Sequence, residues 1–279
     1  MSPLRQVSSP GVLTAPKLIE ASGVVRSTRQ PNVFWSQNDS GNDERIFAYD
    51  STGAALGMLR IAGARNRDWE AIALGPCPDG TCLFIGDVGD NNARRSDVTI
   101  WRIPEPVPAD TLSPRAVPLR FGYAEGPRDV EAMWIAPDSA VLLLTKRPIR
   151  ARGGRDRWSL IYRLPPAAWR SDARATATLV DSVPLVPTAS NPTNWITDAS
   201  LSSADAKGVR HLAVRTYAAV YIFDADGVSG RPTALRHQCN LRALHEQYGE
   251  GVTWLADGRL LFVAEGRASV LHAARCDGP

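Results

Sequence analysis

The sequence predicts an all-β fold, a five-bladed β-propeller whose last blade is closed by the N-terminal strand. Three observations carry this expectation. Short runs rich in Val, Ile, Leu and aromatic residues recur in triplets along the chain, each run of strand length. The first four triplets are each followed by a less regular fourth run, whereas the fifth reaches the C-terminus without one. The 22 Gly and 21 Pro are dispersed along the chain, which suits many short strands joined by turns and does not suit long helices.

The first triplet is Ala21–Ser27, Asn32–Asn38 and Ile46–Asp50, followed by Leu56–Ala62. The second is Ala71–Pro76, Thr81–Asp87 and Thr99–Pro104, followed by Val117–Tyr123. The third is Ala132–Pro137, Ala140–Lys146 and Ser159–Leu164, followed by Ala177–Leu185. The fourth is Ala199–Ala204, Arg210–Thr216 and Ala218–Asp224, followed by Ala234–Leu241. The fifth is Gly251–Ala256, Arg259–Glu265 and Ser269–Ala274, and Gln6–Leu13 is expected to supply its missing fourth strand. Turn sequences such as PDG, APDS and ADG separate first from second runs. Radial blades leave only short protected edges, which answers the open-edge problem of an all-β chain. The competing arrangement is two stacked β-domains divided near residues 187–194, but the triplets continue across that point. We therefore read residues 1–279 as one propeller domain.

Composition excludes several classes. With 44% hydrophobic and 22% charged residues the chain is not wholly disordered. No apolar run approaches the roughly 18–20 residues of a membrane helix. A net charge of +3 gives no support for nucleic-acid binding, and the basic stretch Lys146–Arg157 reads as a solvated loop. We expect a monomer.

Four cysteines permit three pairings, of which Cys77–Cys82 and Cys239–Cys276 are preferred. The Pro-Asp-Gly between Cys77 and Cys82 is a turn sequence that brings the ends within disulfide reach. Zinc would need CxxC-type spacing or nearby His, and the four His fall in no such pattern. Disulfides imply a secreted or periplasmic address. The N-terminus shows no apolar signal core, so either the chain is a mature form or the protein is cytoplasmic with free thiols.

In a propeller the innermost strands run beside a central channel, so residues at their starts converge near its axis. Here those starts place Glu70, Glu131 and Glu250 at one repeat position, with Ser22 and Ser200 in the other two blades. Converging carboxylates raise one another's pKa unless a cation sits among them. An all-oxygen donor set suits Ca²⁺ better than zinc or copper. The alternative is that the acids pair with Arg or cap backbone amides. Glu20, Asp68, Asp129 and Asp198 read as turn acids. Ends of second strands should open on the same mouth, which assigns it Asp39, Asp87, Lys146, Arg215 and Glu265. Lys146, Arg147 and Arg215 then form an anion site with Glu265 beside them. The Gly residues of GDVGD precede no helix, so they are turn residues and not a phosphate loop. Trp35, Trp101, Trp134, Trp158 and Trp254 read as packing between blades.

These motifs resemble the calcium-activated nucleotidase (apyrase) family. Its similar order of Ser, Glu, Glu, Ser, Glu falls here on Ser22 in ASGVV, Glu70 in DWEAIAL, Glu131 in VEAMW, Ser200 in DASLS and Glu250 in GEGVTWL. Asp39 in NDSGN is similar to the acidic turn after that family's first blade strand, LFIGDVGD to its second-blade strand and LLLTKR to its basic third-blade strand. DWEAIAL and GDVGDNNARR also look like segments of bacterial propeller proteins of no assigned activity. The resemblance implies a five-bladed propeller with Ca²⁺ near its centre, held by Ser22, Glu70, Glu131, Ser200 and Glu250. The function it implies is Ca²⁺-dependent hydrolysis of a small anionic, phosphate-containing substrate. Asp39 or Asp87 would activate water, and Lys146, Arg147, Arg215 and Glu265 would line the substrate. The rivals are a non-catalytic binding propeller with a structural Ca²⁺ and a lactonase- or phytase-like esterase.

Overall fold

The computed structural model describes residues 1–78, 80–147, 149–150, 157–170, 173–184 and 192–277. Much of the basic stretch Lys146–Arg157, Leu185 and most of the segment 187–194 lie outside the described residues.

Twenty strands form five antiparallel units, each numbered here as a blade. Blade one runs from the channel outward as Ala21–Arg26, Phe34–Asn38, Arg45–Tyr49 and Ala55–Arg60. Blade two is Trp69–Cys77, Gly80–Asp87, Val98–Pro104 and Val117–Tyr123. Blade three is Val130–Ile135, Val141–Thr145, Arg157–Leu164 and Ala175–Pro184. Blade four is Ile196–Leu201, Arg210–Thr216, Ala219–Ala225 and Pro232–Asn240. Blade five is Gly249–Trp254, Leu260–Ala264 and Val270–Arg275, completed by the N-terminal strand Arg5–Val12. The expected closure is therefore present, with Arg5 opposite Arg275 and Val12 opposite Val270.

The blades do not form five separate sheets. The outer strands of blades two and three pair in parallel, Phe121–Tyr123 against Ala175–Ala177, so that nine strands share one hydrogen-bonded sheet. Short dipeptide strands cover two other edges: Ser2–Pro3 beside blade four and Thr111–Leu112 beside blade one.

The second strands of blades three and five read as near-continuous apolar runs because both their faces are covered by neighbouring blades. Val141–Thr145 and Leu260–Ala264 are buried at every residue. The core accordingly lies between blades, in five clusters that close a cycle. Ile46 and Ile85 meet between blades one and two, and Phe84 and Leu143 between two and three. Leu142 and Val214 meet between three and four, and Val220 and Phe262 between four and five. Phe34 and Val263 complete the cycle between five and one. Trp35 and Trp134 sit wholly within these clusters, while Trp101 and Trp254 pack against them.

Both expected disulfides are formed. Cys77–Cys82 crosses the first hairpin of blade two, and Cys239–Cys276 ties the outer strand of blade four to the end of blade five. Two disulfides suit an oxidising compartment. Among the described residues no helix is long and apolar enough to cross a membrane.

Candidate functional site at the channel mouth

Each innermost strand carries a β-bulge near its first residue. The ladder to the second strand skips between Ala21 and Val24, Trp69 and Ala71, Val130 and Ala132, Ile196 and Asp198, and Gly249 and Gly251. A bulge leaves one residue unpaired and re-aims its side chain. The residues released are Ser22, Glu70, Glu131, Thr197 and Glu250, one per blade and all buried.

The equivalent residue in blade four is thus Thr197, and Ser200 is displaced from the ring. Ser200 instead lines a cavity of about 380 Å³ built from later parts of the inner strands, with Val24, Ile72, Ile135 and Arg210. The slip has a simple cause. Eight residues separate the two strands of the blade-four hairpin, Ile196–Leu201 and Arg210–Thr216, against five in blades three and five.

The ring residues are coupled pairwise. Ser22 Oγ donates to Glu70 Oε2 at 2.6 Å. Lys146 Nζ lies 2.6 Å from Glu131 Oε1, and Tyr217 donates its hydroxyl to Glu250 Oε1 at 2.9 Å. Thr197 Oγ1 is buried and has no hydrogen-bond partner among the described residues.

The second strands also differ from the expected register. The ladder partners of the first inner-strand residues are Asn38, Asp87, Thr145, Thr216 and Ala264. Asp39, Lys146 and Glu265 each follow that position by one residue, and Val88 and Tyr217 hold the same place in blades two and four. Asp87 is one residue short of it. Arg215 is two short, on the opposite side of the alternation from Thr216. Its guanidinium has no exposed surface; it donates to Gly251 O at 2.6 Å and Val263 O at 3.0 Å and pairs with Glu246. Arg215 is therefore a tie between blades four and five, not a cation of the mouth.

Asp68 joins the site although the sequence marks it only as a turn acid. One carboxylate oxygen from each of Asp39, Asp68 and Glu70 lies within 4.8 Å of the others. Asp87 supports this group from behind: its Oδ1 accepts from the Asp68 amide at 3.1 Å and meets Arg95 at 2.8 Å. Gly89 of the GDVGD loop passes directly over it. A Cβ there would stand 2.6 Å from Asp68 Cγ and 2.7 Å from Glu70 Cγ, so only glycine fits. That loop is fixed further by Asp129, whose Oδ1 accepts from the Asp90 amide at 2.9 Å.

The electrostatics follow from this crowding. Burial raises Glu70 well above the usual carboxylate range, with Glu131 and Asp39 adding to the effect and Lys146 and Ser22 opposing it. Burial raises Glu131 likewise, opposed by Lys146 and reinforced by Asp129 and Glu250. Glu250 is pushed up to about 7 by burial, and Asp68 to about 6 by burial and then by Asp39. Glu265 is raised by burial and by Asp39 and Glu20. Lys146 is affected in two directions. Burial disfavours its charge, but Glu131, Glu70 and Asp129 outweigh burial and hold the ammonium above its ordinary range.

Trp195 flanks the mouth. The Arg147 guanidinium lies 4.4 Å and the Lys146 ammonium 5.9 Å from its ring centroid. Arg147 also donates to Asn91 O at 3.3 Å and Oδ1 at 3.2 Å. Below the ring, Asp198 is fully buried, and burial raises its pKa well above the usual range. It accepts from the amides of Ala199 at 2.8 Å, Val252 at 2.9 Å and Val24, joining the inner strands of blades four, five and one.

No family model and no curated protein matches this chain. Solved structures similar to it include an exo-β-1,3-galactanase from Phanerochaete chrysosporium with galactose, at 12% identity and a TM-score of 0.52, covering 97% of this chain and 63% of that one. A glucose dehydrogenase is similar at 11% identity and a TM-score of 0.50, covering 98% of this chain and 100% of that one. The Dos1 propeller is similar at 9% identity and a TM-score of 0.40, covering 94% and 59%. The chain thus spans less than two thirds of the galactanase and Dos1 chains. At these identities the likeness concerns fold alone.

Proposed function

We propose that the carboxylate mouth is a Ca²⁺-dependent hydrolytic site for a phosphate-bearing small molecule, of the apyrase-like kind. The observation that carries this reading is the approach of Asp39, Asp68 and Glu70 to within 4.8 Å, beside a buried lysine, at one end of a propeller channel. The donor set fits the ion. It is all oxygen, it comes from three carboxylates, and two of them, Asp39 and Asp68, are only partly buried and so open to an ion. Asp39, Asp68 and Glu70 would hold the ion, which when bound supplies neutralisation of charge on a phosphoryl group. Ser22 orients Glu70, and Asp87 with Arg95 fixes the Asp68 turn. Arg147, beside Trp195, presents positive charge to the phosphate oxygens, while Lys146 is held by Glu131. Glu265, half-buried beside Asp39 with a raised pKa, is placed to accept the proton of the attacking water. The disulfides support a secreted or periplasmic address for this activity.

A screen of nucleoside di- and triphosphates, simple phosphate esters and lactones, with Ca²⁺ or with chelator, tests the reading. Phosphate release that requires Ca²⁺ and falls at least about a hundredfold in Glu265→Gln is expected. Turnover indifferent to chelator would overturn it. The Lys146–Glu131 pair favours a second reading, a non-catalytic propeller whose acidic ring is neutralised internally to hold the blades together. Ca²⁺ binding with no turnover of any class would select it.

A further inference from the structure

The ring at the bulges contains three carboxylates from three blades, Glu70, Glu131 and Glu250, and the side chain of Lys146 enters among them. Its ammonium is 2.6 Å from Glu131, and it is electrostatically coupled to Glu70 and Glu250 as well. It is buried, and the Trp195 ring flanks it. An isolated buried ammonium is costly, so its presence here means that the surrounding acids repay the desolvation. With Ser22, Thr197 completes the five bulge positions, and its Oγ1 has no partner among the described residues.

We infer that Lys146 is a tethered counter-cation: the axial ring is a cation site filled by the chain's own ammonium, and a divalent ion enters it only when that ammonium is gone. The inference rests on the mouth being a cation-binding site, as proposed above, but not on hydrolysis. It separates two loci that share Glu70. The outer locus, with Asp39 and Asp68, is open to a soluble ion. The axial locus is occupied by a group whose effective concentration is fixed by covalent attachment, so a soluble ion must outcompete an intramolecular one.

The test uses the full-length chain carrying Asp39→Asn and Asp68→Asn, which removes the outer locus. With Lys146 retained, Ca²⁺ should leave the melting temperature unchanged and give no calorimetric binding. Adding Lys146→Met, which keeps length and removes charge, should lower the melting temperature in chelator. Ca²⁺ should then restore it and bind about tenfold or more tightly than to the Lys146-bearing background. Lys146→Arg keeps the charge and should respond like Lys146. If the methionine variant does not fold in chelator, refolding in Ca²⁺ is the readout, and recovery by Ca²⁺ but not by equal ionic strength of Na⁺ is expected. Unchanged stability of the methionine variant, or equal Ca²⁺ binding with and without Lys146, overturns the inference. Failure of the hydrolytic reading would appear instead as absent turnover in the unsubstituted protein.

Discussion

Ser22 and Glu70 are the bulged residues of adjacent blades, and the Ser22 hydroxyl donates to Glu70 Oε2 at 2.6 Å across the boundary between them. The bond opposes, without cancelling, the upward shift that burial imposes on Glu70. Ser22→Ala should destabilise the protein by about 1–3 kcal/mol, since it leaves a buried acceptor without its donor. Urea unfolding measures this, and a loss below about 0.5 kcal/mol would deny the bond a structural role.

The protein should be more stable in mild acid than at alkaline pH when no metal is present. Glu250 is raised to about 7 and Asp68 to about 6, so the folded state binds their protons more tightly than the unfolded chain. A raised carboxyl contributes stability at low pH, and that contribution is lost as pH rises through the folded-state value. Melting temperature should therefore fall between pH 5 and pH 8 in chelator and fall less in Ca²⁺. A rise over that interval would contradict the assignment.

Arg215→Met should destabilise by about 3–5 kcal/mol, because Glu246 would keep a buried charge without its partner. Turnover per folded molecule should change little. Retained stability with lost anion binding would return Arg215 to the mouth.

Gly89→Ala should weaken divalent-ion binding more than it lowers stability. The added Cβ meets Asp68 and Glu70, whose carboxylates must then separate. Calorimetric titration with Ca²⁺ against the parent decides this; equal affinity would show that the loop gives way instead.

Breaking Cys239–Cys276 should cost about 2–4 kcal/mol, since the bridge closes a long loop between the last two blades. Comparing unfolding of the parent with that of a protein that retains Cys77–Cys82 and carries Ser at both other positions, each without reductant, measures it.

The fold was legible because each blade repeats one strand pattern, and because the fifth triplet has no fourth run except at the other end of the chain. Glu70, Glu131 and Glu250 were legible because the bulge recurs at the start of each inner strand. Thr197 is not legible in place of Ser200, because the blade-four hairpin is three residues longer than those of blades three and five and no local pattern marks the difference. Arg215 stands two residues before the mouth position Tyr217, on the same face of its strand but one pleat repeat further from the opening, where blade five covers it. Asp68 sits two residues before Glu70 in DWE, a spacing that places both acids on one side of an extended segment. Tyr217 and Trp195 are joined to the site only by tertiary packing, and no local pattern marks them.

The parallel seam between Phe121–Tyr123 and Ala175–Ala177 makes the ring unequal in how it can open. At two other boundaries only dipeptide strands pair across, Thr111–Leu112 with blade one and Ser2–Pro3 with blade four. Blades two and three share backbone hydrogen bonds at their rims, so fraying of either outer strand must strip partners from both. Amide exchange should find these two blades protected together as one cooperative unit, with the remaining three opening around it. Glu70 and Glu131 belong to the two coupled blades, and Glu250 belongs to the blade that the two chain ends complete. The candidate site is thus mounted across the two blades that share one sheet and the blade where the circle is joined.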